Sequence, residues 1–85
     1  MSYNILITGA NRGLGLALTE KLLAGGHQLY AINRRDSDGL LQLQEKYPES
    51  LHRYYGDVSD EASIRMALEA MAGHVNALDI ILNNS

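Results

Sequence analysis

The sequence predicts an α/β fold: a parallel sheet of about four strands in the order 3-2-1-4, with helices on both faces in three layers. Three observations carry that expectation. Short apolar runs alternate with longer stretches whose apolar residues recur at helical spacing, which means βαβ units around a parallel sheet. Glycines gather at the first strand-to-helix junction, in Thr8-Gly9-Ala10-Asn11-Arg12-Gly13-Leu14-Gly15. Right-handed crossovers then place strand three at one edge and strand four beside strand one, with the switch point between strands one and four.

Each element has its own signal. Tyr3–Thr8 reads as a short buried strand. A helix follows over about Gly13–Ala24, with Leu14, Ala17, Leu18 and Leu22 as its apolar face, and Gly25-Gly26 ends it as a left-handed cap. Gln28–Ile32 is the second strand, and Asn33–Gly39 a polar connection. Leu40, Leu43 and Tyr47 mark one face of a short second helix, which Pro48 stops because it pushes the preceding residue out of helical geometry. Leu51–Tyr55 is a weaker third strand, with Tyr54 and Tyr55 facing opposite ways. Ser59 or Asp60 caps a third helix whose apolar face is Ile64, Ala67, Leu68 and Met71, and Gly73 or Asn76 ends it. Leu78–Leu82 is the fourth strand, followed by Asn83-Asn84-Ser85.

With 85 residues the chain is one domain and no more, spanning 1–85. Apolar residues make up 46%, which argues against disorder, and the core is aliphatic because Phe and Trp are absent. A net charge of −3 provides no basic field for nucleic acid. Without cysteine there is neither a disulfide framework nor a thiolate metal site. His27, His52 and His74 are scattered, as surface or loop residues, so no metal is expected. No signal run or membrane-length apolar stretch is present, which leaves a soluble cytoplasmic protein as the expectation.

The glycine turn carries the chemistry. A helix N-terminus offers unpaired N–H groups and a positive dipole end, and such a junction binds phosphate. Gly9 turns the chain off the strand, Gly13 removes a side chain where a ligand would approach, and Gly15 lets helix and strand pack closely. A phosphate loop of the nucleotidase kind needs Lys-Ser or Lys-Thr after its last glycine, and here Leu14 follows Gly13. The alternative is a tight βα turn that binds nothing.

The pattern T-G-x-x-x-G-x-G, set between a strand and a helix, resembles the short-chain dehydrogenases/reductases. The resemblance spans all 85 residues but only the first third of that family. It implies a Rossmann-like, dinucleotide-binding domain in which Gly9, Asn11, Gly13, Leu14 and Gly15 belong to the cofactor loop and hold the pyrophosphate. Asp57 would accept from the adenine amino group, Val58 would meet the ring, and Asn83, from the family's Asn-Asn-Ala-Gly segment, would lie near the ribose. For Asp57 the plainer alternative is a residue that favours the dipole of the following helix. For Asn83 it is a polar close to a strand.

At the end of strand two an acidic residue would accept the 2′-hydroxyl of NAD. Here Asn33 is neutral and Arg34-Arg35 follow, while Arg12 projects toward the same region. Guanidinium forks match phosphate oxygens, so Arg12, Asn33 and Arg34 point to the 2′-phosphate of NADP. Solvated loop arginines are the alternative, and Asp36 would favour NAD if the strand ran longer.

Family chemistry, as the resemblance implies it, uses a Ser and a Tyr with Lys four residues on. None of the five tyrosines has that Lys. The expectation is therefore the NADP(H)-binding part of an oxidoreductase acting on a carbonyl or alcohol, inactive as these residues alone. The alternative is a non-catalytic nucleotide-binding or self-associating module. Strand four would be an apolar edge, expected to pair with a copy or to continue into a longer chain.

Overall fold

Alternation of side chains along four short strands builds two cores on opposite faces of one sheet. A computed structural model describes residues 2–75 and 77–84. The strands are β1 (Asn4–Thr8), β2 (Gln28–Asn33), β3 (Leu51–Tyr55) and β4 (Ile80–Asn83), and the helices are α1 (Gly13–Ala24), α2 (Asp38–Lys46) and α3 (Glu61–Ala72). All pairings are parallel, in the order β3-β2-β1-β4. Ile5, Ile7, Leu29, Ala31 and Leu51 face α1 and α2, where they pack with Leu23, Leu40 and Leu43. Leu6, Tyr30 and Ile32 face the other way and meet Ala67 and Met71 of α3. Each fully buried aliphatic side chain contributes about 1.5–3 kcal/mol, so the two faces supply most of the driving force.

The element order and the sheet order agree with the sequence reading; several details differ. Tyr3 lies outside β1 and stacks on His27. In α1 the buried ridge is Gly15, Thr19 and Leu23 rather than the stripe through Leu14 and Ala17, and Leu14 is 69% exposed. Every residue in that stretch but Thr19, Glu20 and Lys21 is apolar or glycine, so periodicity alone did not single out a face. Thr19 is accommodated because its hydroxyl donates to the Gly15 carbonyl at 2.8 Å. In α3, Leu68 is largely exposed while Ala67 and Met71 are buried. β4 begins at Ile80 instead of Leu78, since Asp79 caps the pairing: its carboxylate accepts from the Asn4 amide at 2.8 Å and its own amide donates to the Asn4 carbonyl. Leu78 packs beneath α3 instead.

Helix ends follow their expected chemistry. Gly26, at φ 88°, and His27 donate back to Leu23 and Leu22, closing α1 as a left-handed cap. Asp60, not Ser59, caps α3 by accepting from the Ala62 amide. Gly73 follows α3, whereas Asn76 and Ser85 lie outside the described residues. His52 departs from a surface role: it lies in β3, half-buried and stacked on Tyr30 at 4.7 Å. None of the described helices is long and apolar enough to cross a membrane.

Candidate functional site

The carboxyl ends of the strands converge on one open hollow of about 850 Å3. Its wall is built from the β1–α1 turn (Gly9, Asn11, Arg12, Gly13), the end of β2 and its connection (Ile32 to Ser37), the β3–α3 turn (Gly56 to Ser59) and Asn84 after β4. The topology dictates this place, because β1 and β4 are neighbours in the sheet, and α1 and α3 cover its opposite faces.

The turn is shaped by its glycines. Gly9 and Gly13 sit at φ 70° and 57°, which side chains with a Cβ rarely adopt. A Cβ on Gly13 would meet open space, so the backbone angle is what requires glycine there. At Gly15 the reason is contact: a Cβ would collide with the Gly9 carbonyl and the Asn84 amide. α1 consequently starts directly above the end of β1.

That start is bare. Ser37 accepts from the Leu40 amide to cap α2, and Asp60 caps α3, but Arg12 makes no side-chain cap on α1 and no acidic residue stands in its first turn. The first intrahelical bond runs from Leu16 to the Arg12 carbonyl, so the amides of Gly13, Leu14 and Gly15 precede it. Arg12, Arg34 and Arg35 line the hollow, all exposed, and among the described residues none has a carboxylate within ion-pairing distance.

Hydrogen bonds hold the wall together. Asn33 is only 7% exposed; its Oδ1 accepts from the Ala10 amide at 2.7 Å, while its buried Nδ2 has no partner among the described residues. Asn11 Nδ2 donates to the Arg35 carbonyl at 3.1 Å and ties the turn to the β2–α2 connection. Asn84 Nδ2 donates to the Gly9 carbonyl, and the Asn84 amide donates to Thr8 Oγ1. Thr8 Oγ1 in turn donates to Asn83 Oδ1 at 3.0 Å. Asp57 Oδ1 accepts from the Ser59 hydroxyl and amide, and these bonds hold the Asp57 carboxyl below the ordinary carboxylate range, with the Arg34 charge adding to them. β2 ends at Asn33, and the Asp36 carboxylate is bound by Arg53 Nη1 at 2.6 Å.

Of the residues expected from sequence, the structure brings Gly9, Asn11, Arg12, Gly13, Asn33, Arg34, Asp57 and Val58 to one hollow. Leu14, Gly15 and Asn83 are not among the residues that line it. Asn84, expected beyond the end of strand four but given no role, also lines it, as do Ser37, not expected there, and Ser59, expected only as a helix cap. Among the described residues no three His, Asp or Glu side chains gather as a metal ion would need.

The family model described as short chain dehydrogenase matches residues 3–85. The chain is 31% identical over 85 residues to the 3-oxoacyl-[acyl-carrier-protein] reductase MabA of Mycobacterium bovis, covering all of this chain and 31% of that protein. It is 30% identical over 81 residues to the NADP-dependent 3-hydroxy acid dehydrogenase YdfG of Escherichia coli K12, covering 95% of this chain and 32% of that one. A short-chain dehydrogenase from Streptomyces avermitilis superposes over the whole chain with a TM-score of 0.90 at 27% identity, across 31% of its own length. A 3-ketoacyl-(acyl-carrier-protein) reductase from Brucella melitensis, complexed with NADH, superposes over 93% of this chain and 32% of its own, with a TM-score of 0.79 at 26% identity. The chain thus spans about a third of the length of these relatives.

Proposed function

The chain belongs to the short-chain dehydrogenase family, and on that premise we propose that it is the NADP(H)-binding part of an oxidoreductase that acts on a carbonyl or alcohol. The observation that carries this reading is the uncapped start of α1, opening on a hollow rimmed by three arginines that have no carboxylate within ion-pairing distance among the described residues. The amides at Gly13, Leu14 and Gly15 would bind the pyrophosphate, and Arg12 and Arg34 the 2′-phosphate. Asn33 Nδ2, buried and unpartnered, would donate to a ligand oxygen beside them. Asp57 and Val58 would border the adenine. The dinucleotide supplies hydride chemistry when bound; these residues bind and orient it.

Asp36 supports NADP over NAD, because its carboxylate is engaged by Arg53 and β2 stops three residues before it. The two cofactors named for relatives are mixed, since YdfG is described as NADP-dependent and the Brucella enzyme was crystallised with NADH. Titration calorimetry with NADPH and NADH decides. Charge-assisted hydrogen bonds contribute about 1.5–3 kcal/mol, so NADPH is expected to bind at least tenfold more tightly. Equal affinities would remove NADP from the reading.

No tyrosine in the chain has Lys four residues on, so carbonyl-dependent NADPH oxidation by these 85 residues is expected to be nil. This favours a second reading for the chain alone, a nucleotide-binding module that self-associates through β4. Ile81, 65% exposed on that edge strand, supports it. A cytoplasmic location is part of the same proposal.

A further inference from the structure

Asp36 lies on the wall of the cationic hollow, next to the arginines proposed to hold an anion. A free carboxylate there would repel a phosphate and offer an acceptor to a ribose hydroxyl. It is not free. Arg53, from the neighbouring edge strand β3, places Nη1 at 2.6 Å from Asp36 Oδ2. Both side chains are partly exposed, at 30% for Arg53 and 44% for Asp36, and an isolated pair of that kind is weakly held. Here the guanidinium is oriented beforehand: Nε donates to Gln44 Oε1 at 2.9 Å, and Gln44 Nε2 donates to the Leu51 carbonyl at 2.8 Å. α2, β3 and the β2–α2 connection are thereby joined around one carboxylate. A smaller hollow of about 250 Å3 links Arg53 and Asp36 to Arg34 and Arg35.

We propose that Arg53 is a positioning residue for cofactor choice: by holding the Asp36 carboxylate it keeps negative charge from the phosphate-binding rim and leaves that rim cationic. The inference rests on the NADP(H) reading. Arg53 touches no ligand in it, and Asp36, released, would turn the same rim toward an unphosphorylated ribose.

A double-mutant cycle on the full chain tests this, with NADPH and NADH titrated separately at low ionic strength against the native protein, Arg53→Met, Asp36→Asn and the double variant. The readout is the ratio of the two dissociation constants, which cancels any loss of folded protein because both ligands meet the same sample. Arg53→Met is expected to lower the preference for NADPH by roughly fivefold, the scale of one unit charge a few ångströms from a phosphate with the screening of bulk water. Asp36→Asn alone, which leaves the Arg53 charge unpaired, should keep the native preference for NADPH or raise it, and the double variant should return to the native ratio within about twofold. Arg53→Lys, which keeps a charge for Asp36, should stay near native. The proposal is overturned if Arg53→Met retains the native ratio, or if the double variant remains as low as Arg53→Met. A native chain with no preference for NADPH overturns the cofactor reading and this inference together; a native preference that is untouched in Arg53→Met sinks the inference alone.

Discussion

Asn33 does two things with one amide. Its oxygen is committed to the Ala10 N–H and so fixes the turn against β2, while its Nδ2 stays buried without a partner. An unpaired buried donor costs about 1–3 kcal/mol, which a ligand oxygen would relieve. The sequence marked Asn33 as a neutral residue where an acidic one would select NAD, and grouped it with Arg12 and Arg34; the bond to Ala10 was not legible. The glycines were more so, and they separate into two physical classes that mutagenesis distinguishes. Gly15→Ala drives a Cβ into the Gly9 backbone, and overpacking of that kind is expected to destabilise by about 1–3 kcal/mol in urea denaturation. Gly13→Ala meets no atom within 4 Å and carries only the cost of a left-handed backbone, about 1–2 kcal/mol. Close packing at position 13 is absent, so Gly13→Asn, which tolerates that region, should recover most of the loss; Gly15→Asn should recover nothing.

At the level of elements, the strands and the capped helices were readable because their signals are local: alternation, a cap residue, a proline. The buried face of α1 was not, since almost any rotation of so apolar a helix buries leucine. Gly15 decides the rotation, by being the one position where the helix can approach β1 this closely. β3 holds the other departure. His52 is stacked on Tyr30 with Nε2 at 2.9 Å from Gln28 Oε1, and burial, reinforced by His74, lowers its pKa from the ordinary 6.5. The folded state therefore resists protonation that the unfolded chain accepts. Its contribution is fully present above about pH 6.5 and is lost as pH falls through the lower folded value. Unfolding followed by circular dichroism should show stability declining below pH 6.5 in the native chain, with a shallower decline in His52→Gln. An unchanged slope would mean that another group titrates there.

Among the described residues, one half of the sheet is well covered and the other is not. β1 and β2 are flanked on both faces, but β4 is an edge, and Ile81 beside Leu6 is left exposed because α3 does not reach over it. An apolar edge with open N–H and C=O groups is a site for pairing. If β4 mediates self-association, light scattering should show native oligomers that Ile81→Lys shifts toward monomer, while the NADPH affinity is retained because β4's partner face lies away from the arginine rim. A native chain that stays monomeric at high concentration would remove the self-associating reading.

The sequence by itself determined the order of elements, the parallel sheet, the glycine turn and the cationic residues after β2, because each depends on neighbours along the chain: apolar period, glycine, proline, charge. Tertiary structure alone decided which polar groups meet. Asn33 reaches Ala10 across 23 residues, Arg53 reaches Asp36 across 17, and Asn84 reaches Gly9 across 75. Those meetings are set by strand register and by how closely α1 lies on β1, and a shift of one residue in register would turn each side chain to the opposite face of the sheet.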